Sequence, residues 1–116
     1  MTKSEYKYLY EIQESVKSDG RVHVAEVAAR LDVSGVSVYK AMDKLRKNGY
    51  IADEGKYAAL TKKGKVALCE YGKIVQYVAQ RLIERCALTA EEATNDAIGV
   101  ACALSEKSKR AFLQDL

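Results

Sequence analysis

The sequence predicts a mostly α-helical protein interrupted by one small β-hairpin, and three observations predict it. Proline is absent and only seven glycines occur among 116 residues, so little in the chain would break a helix. Apolar residues recur at i, i+3, i+4 and i+7 in several segments, the stripe of an amphipathic helix. A strand pattern appears only around YIADEGKYAAL, where a glycine-bearing turn separates two short β-prone runs. A chain of this length holds one compact domain, or a small domain with an appended oligomerisation element. With 48% hydrophobic and 30% charged residues it has the composition of a folded soluble protein. No apolar stretch reaches the roughly 18 to 20 residues of a membrane span. The start, MTKSEYKYLYEIQE, has early acids and no apolar signal core, and three cysteines lack a framework spacing. These features predict a cytoplasmic protein with reduced thiols and no membrane partner.

Taken in order, SEYKYLYEIQESVK reads as a helix on Leu9, Ile12 and Val16, stopped by Asp19-Gly20 and followed by a short extended piece, Arg21-Val22-His23. His23, the single histidine, reads as a surface side chain, because a metal site needs further ligands beside it. VAEVAARL is a short helix with Val24, Val27, Ala28 and Leu31 on one stripe, ending at Asp32. Ser34 then caps a helix whose inner face is Val38, Met42 and Leu45, and Asn48-Gly49 closes it with a left-handed residue. Two short helices across a tight turn make a helix-turn-helix. Strands at Tyr50–Ala52 and Tyr57–Leu60, joined by Asp53-Glu54-Gly55-Lys56, add a wing. The predicted fold is thus a winged helix-turn-helix head over residues 1–61 and a helical dimerisation region over 62–116.

Thr61 caps a long helix, KKGKVALCEYGKIVQYVAQRLIERC, with Tyr71, Val75, Val78 and Leu82 on one stripe. At about 1.5 Å per residue this helix outruns a head of this size, so part of it packs elsewhere. Thr89-Ala90-Glu91-Glu92 has the form of a capping box and opens a helix with Ala93, Ala97, Ile98, Ala101 and Leu104 inward. Ser105 caps a last helix with Phe112 and Leu116 on its apolar edge. Broad apolar faces on these helices suit burial between two subunits. A homodimer is expected, its two heads reading half-sites about 34 Å apart on a pseudo-palindromic double-stranded DNA.

Charge points the same way. The formal net charge is +3, yet residues 34 to 65 carry eight basic side chains (Lys40, Lys44, Arg46, Lys47, Lys56, Lys62, Lys63, Lys65) against Asp43, Asp53 and Glu54. A concentrated basic block in an otherwise balanced chain is the electrostatic footprint of a nucleic-acid surface. Ser34, Gly35 and Ser37 leave room for a phosphate at the helix start, where N–H groups and the dipole favour an anion. Lys40 and Lys44 lie one turn apart to follow a major groove, with Tyr39 and Lys47 also off the buried stripe and Lys56 in the wing turn.

Over nearly its whole length the sequence resembles the DtxR/MntR-type metal-dependent transcriptional regulators. The likeness lies in VAEVAARLDVSGVSVYKAMDKLRKNGYI, in the LTKKGK that leads from wing to long helix, and in NDAIGVACALS followed by a short helix. The resemblance implies a cytoplasmic homodimer that represses genes of metal handling. It places the DNA-touching positions at Ser34, Gly35, Val36, Ser37, Tyr39 and Lys40, and the unusual Tyr39 and Lys40 imply a different operator preference. Members of the family hold Mn, Fe or similar ions at places that fall here on Lys7, Tyr10, Val75, Ile98, Ala101 and Cys102. Of these only Cys102 is a good donor, and a one-residue shift of the first helix adds only Glu11, where about four ligands are needed. A member without the Mn or Fe switch, and with no metal site, is therefore expected, a bound Mn or Fe ion being the alternative.

Two other readings stay open: a thiol-responsive regulator using Cys69, Cys86 and Cys102, and a winged helix that binds protein. The apolar flanks of Cys102 disfavour a thiolate, so buried structural thiols are expected. Catalysis finds no support, with no glycine-rich phosphate loop, no HExxH or CxxC, and no nucleophile paired with the single histidine.

Overall fold

The computed structural model describes residues Met1–Leu116. Its elements run α1 (Lys3–Val16), α2 (Val24–Leu31), α3 (Gly35–Lys47), β1 (Ile51–Glu54), β2 (Tyr57–Leu60), α4 (Lys62–Cys86), α5 (Ala90–Ala103) and α6 (Glu106–Gln114). The chain divides into two compact units, one of Ser4–Leu68 and the other of Met1–Lys3 with Cys69–Leu116. The division falls inside α4, two turns past its start.

The first unit is the winged head. Leu9 and Ile12 of α1, Val27 of α2, Val38 and Leu45 of α3, and Ile51 of β1 are almost completely buried and form its core. Those on the helices are the positions that helical spacing marks as inward, and burying such side chains is worth about 1.5 to 3 kcal/mol each. The caps are local. Asp32 ends α2 in the left-handed conformation at φ 54°, and Ser34 Oγ accepts the Ser37 N–H at 3.1 Å to start α3. Gly49, at φ +80°, turns the chain out of α3.

The wing is tighter than the sequence suggests. Its strands pair antiparallel with Ile51 opposite Leu60 and Glu54 opposite Tyr57, leaving Gly55-Lys56 as a two-residue turn. Asp53 and Glu54 therefore belong to β1 and not to the loop, because Gly55 takes φ +62° and lets the hairpin close immediately after them. His23 is also less solitary than expected: its Nε2 lies 2.8 Å from Asp19 Oδ1, which also accepts the Arg21 N–H. Those two hydrogen bonds, the His23 one foremost, lower the Asp19 carboxyl below its ordinary value. Ser15, buried near the end of α1, takes the His23 N–H on its Oγ at 3.3 Å and so ties α1 to the start of α2.

LTKKGK fastens α4 to the α3–β1 corner. Thr61 donates its hydroxyl to the Gly49 carbonyl at 2.6 Å, accepts the Gly64 N–H at 3.1 Å and sends its own N–H to the Tyr50 carbonyl at 3.0 Å. Lys63 Nζ reaches the Asn48 carbonyl at 2.7 Å and lies over the Tyr50 ring. Gly64 sits so close to Tyr50 that a Cβ there would stand 2.2 Å from the Tyr50 carbonyl oxygen.

In the second unit, Tyr71, Ile74, Val75 and Ala79 of α4 and Ala93, Ala97, Ile98 and Ala101 of α5 are buried. The capping box at Thr89 is complete, with Glu92 N–H on the Thr89 hydroxyl and Thr89 N–H on the Glu92 carboxylate. Ser105 caps α6 through the Ser108 N–H, and Phe112 meets Tyr77 edge to face at 5.5 Å. Lys109 is buried with its ammonium over the Tyr71 ring at 4.4 Å, near Glu70 at 3.5 Å and Glu106 at 3.6 Å, while Arg110 pairs with the same two carboxylates. The expectation of buried thiols is corrected: Cys69 and Cys86 are exposed and Cys102 is half-buried. Cys69 falls on the outward side of α4, off the stripe formed by Tyr71, Ile74 and Val75, whereas Cys86 is the last residue of that helix.

Candidate nucleic-acid interface

Every residue that the sequence nominates for DNA contact lies on α3, its cap or the wing tip, and all belong to the head. Ser34, Val36, Tyr39, Lys40, Lys44, Lys47 and Lys56 are exposed, while Gly35 and Ser37 are half-buried at the start of α3. Gly35 is not required by packing, since a Cβ would meet only the Val24 side chain at an ordinary 3.9 Å. Its small size leaves the N-terminus of α3 open to approach from outside.

The sequence does not tell which of the charges in this block are already spent. Arg46 pairs with Asp43 at 2.9 Å and with Asp53 at 3.1 Å, so it fastens β1 to α3 and its charge is shared between the two acids. No carboxylate lies within salt-bridge distance of Lys40, Lys44, Lys47 or Lys56. Four cations thus project from α3 and the wing turn without a partner in the chain. The wing that carries Lys56 is held from the other side as well, where the Arg21 guanidinium stacks over Tyr57 at 4.8 Å. Asn48 donates its side-chain N–H to the buried Glu5 carboxylate at 2.7 Å, fixing the end of α3 against α1. Sequence reasoning finds neither Arg21 nor the Glu5–Asn48 link, because each joins residues far apart in the chain.

The metal-binding places implied by the resemblance carry different chemistry. Val75, Ile98 and Ala101 are buried apolar side chains with no donor atom, and Lys7 brings a cation. Glu11 turns its carboxylate toward Arg30 at 3.8 Å, leaving one of its oxygens without a hydrogen bond. Nowhere does the chain gather three His, Cys, Asp or Glu side chains in a group suited to a metal ion. This donor set does not fit a Mn or Fe ion.

Fold and surface together define a winged helix-turn-helix protein whose α3 is basic and exposed. The chain belongs to the family of iron dependent repressors, whose N-terminal DNA binding domain matches residues 1–59; this is a family of regulators, not of enzymes. Among solved structures it is similar to the manganese regulator SloR, with a TM-score of 0.79 and 22% identity over 99% of this chain and 54% of that one. It is likewise similar to IdeR of T. acidophilum, with a TM-score of 0.68 and 20% identity over 96% of this chain and 53% of that one. A hypothetical protein from Sulfolobus solfataricus aligns at a TM-score of 0.73 and 16% identity, over 99% of this chain and 88% of that one. The chain therefore spans about half the length of SloR and IdeR. No curated protein sequence matches it. The likeness bears out the predicted mostly helical winged fold. No helix is long and apolar enough to cross a membrane.

Proposed function

We propose that the chain is a DNA-binding transcriptional regulator, a cytoplasmic repressor that acts as a homodimer on a pseudo-palindromic operator and works without its family's metal switch. The observation that carries the reading is the set of four unpaired cations, Lys40, Lys44, Lys47 and Lys56, while the nearby Asp43 and Asp53 are both engaged by Arg46. A surface so arranged is complementary to a polyanion and gives salt-dependent binding. The dimer is assigned to residues 62–116, whose exposed Ile83 and Val100 are available for a second copy. Independence from metal is supported by Val75, Ile98 and Ala101 standing where ligands would be needed.

The test is a gel shift on DNA from the protein's own upstream region across a salt series, with EDTA and with Mn. Binding should weaken steeply with salt and be the same in EDTA and Mn. Replacing Lys40 and Lys44 by Glu should abolish it, while single replacements by Ala should each lower the salt slope by about one, the share of one neutralised phosphate. Binding that needs Mn would overturn the ligand argument, and a Lys40→Glu, Lys44→Glu variant that binds as before would overturn the interface. Exposure of Cys69 and Cys86 supports a second reading, regulation by thiol oxidation. Alkylation and mass spectrometry after mild peroxide decides it, since unmodified thiols end that reading.

A further inference from the structure

Between α1 and α3 of the head lies a cleft that holds a cavity of about 270 Å³. Glu5 and Tyr8 of α1 form one wall, and Lys40, Ala41, Lys44 and Leu45 of α3 form the other. Helical spacing sorts the second wall: Lys40 and Lys44 are one turn apart, and so are Ala41 and Leu45. Two cationic side chains therefore stand beside an apolar strip, to which Tyr8 adds an aromatic ring from α1.

The charge of this cleft is unbalanced. Neither Lys40 nor Lys44 has a carboxylate within salt-bridge distance. Glu5, the single acid in the lining, is buried and accepts the Asn48 side-chain N–H at 2.7 Å. Two cations against one carboxylate leave a single positive charge to be matched. Small-molecule sites are concave and largely apolar, with a few polar groups that orient the ligand, and hold about 300 to 1,000 Å³. This cavity stands at the small end of that range, which suits a ligand of about one ring. A compact monocarboxylate meets both demands, its anion beside the two lysines and its body on Tyr8, Ala41 and Leu45. A phosphate would serve the lysines alone and leave the apolar strip uncovered.

We propose that the α1–α3 cleft is an effector site for a small monocarboxylate, which withdraws Lys40 and Lys44 from DNA. Its regulatory consequence rests on the DNA-binding reading above, where the same two lysines are assigned to the duplex. An occupied cleft and a bound duplex compete for one pair of cations, so each weakens the other by the same factor.

The experiment titrates sodium benzoate into the full chain at constant ionic strength and follows the backbone amides by NMR. Shifts should gather on the α1 and α3 residues that line the cleft and saturate with a Kd of about 1 mM, as befits so few ligand atoms. Benzamide, which keeps the ring without the charge, and inorganic phosphate, which keeps charge without the ring, should each bind about tenfold weaker. In a gel shift on DNA from the protein's own upstream region, benzoate at about ten times its Kd should weaken binding about tenfold against sodium chloride of equal ionic strength, the mass-action result of direct competition. Two variants lie outside the residues assigned to DNA: Ala41→Leu, which fills the cavity, and Tyr8→Ala, which removes its aromatic wall. Each should lose the benzoate effect and keep the native circular dichroism and affinity for DNA. Absence of a saturable shift overturns the proposal, as do phosphate binding as tightly as benzoate and a benzoate response unchanged in both variants. Benzoate that saturates the cleft and leaves DNA binding unaltered overturns it too. A chain that retards no DNA even without benzoate overturns the DNA-binding reading, while the NMR titration still decides the site, so the two failures are distinct.

Discussion

Replacing Gly64 by Ala tests how the head is closed. On helix propensity alone the change should stabilise α4 by about 1 kcal/mol, because alanine is the best helix former. The structure reverses the sign. A Cβ at position 64 would lie 2.2 Å from the Tyr50 carbonyl oxygen and 3.1 Å from its carbon, both backbone atoms that no rotamer change can move aside. Relief needs a shift of about 1 Å between the start of α4 and the α3–β1 corner, an overpacking cost of about 1 to 3 kcal/mol. The same shift stretches the 2.6 Å bond from Thr61 to the Gly49 carbonyl and the 3.0 Å bond from Thr61 N–H to the Tyr50 carbonyl. Each is worth about 1 kcal/mol. After the propensity gain the variant should be less stable by about 2 to 4 kcal/mol. Urea denaturation followed by circular dichroism measures it. Gly99→Ala is the control, since its new Cβ would meet only the flexible end of Lys3 at 3.8 Å and should stabilise α5 by several tenths of a kcal/mol. If Gly64→Ala matches or exceeds the native protein in stability, the close approach of α4 to Tyr50 is wrong.

Two further outcomes follow from the second unit. Lys109→Met keeps the apolar stem but leaves Glu70 and Glu106 to Arg110 alone, so stability should drop by about 2 to 3 kcal/mol, less than for a buried carboxylate left with no cation; an unchanged denaturation midpoint would refute the burial of that ammonium. Glu92 has its carboxyl held below its ordinary value because it accepts the Thr89 N–H in the capping box. With the folded pKa depressed, its contribution is complete above the ordinary carboxylate range and is lost as pH falls through the folded value. Glu92→Gln should therefore show a shallower acid-side loss of stability than the native protein, and identical acid titrations of the two would sink the assignment.

Much of the fold is legible in the sequence because it rests on short-range physics. Ser34, Thr89 and Ser105 cap helices whose N–H groups lie three residues on, so the partners sit together in the sequence. Gly49 and Asp32 stop helices for equally local reasons. The wing is legible as a hairpin but not in its turn, since DEGK offers a four-residue loop as readily as the two-residue turn that Gly55 permits. Apart from Ser34 at its cap and Lys56 in the wing turn, the nominated residues come onto one element because they share α3. Burial of Lys109 is not legible: a lysine in EKSKRAFLQ looks like solvated surface until Glu70 and Tyr71, some forty residues earlier, fold over it. Exposure of Cys86 escapes the sequence for a related reason, as it continues the stripe of Val75 and Leu82 and is uncovered only because α4 ends there.

By itself, then, the sequence determined the helices, their caps, the wing and the basic block, all set by contacts within about four residues and by the count of charges. Tertiary structure decided which of those charges remain available. Arg46 is spent on Asp43 and Asp53, seven residues apart from the second of them along the chain, while Lys40, Lys44, Lys47 and Lys56 are left without partners. It also decided that position 64 must be glycine, because the Tyr50 carbonyl arrives there only when the wing has closed. A side chain's charge is written in the sequence, but whether it is neutralised depends on what folding places within about 4 Å of it.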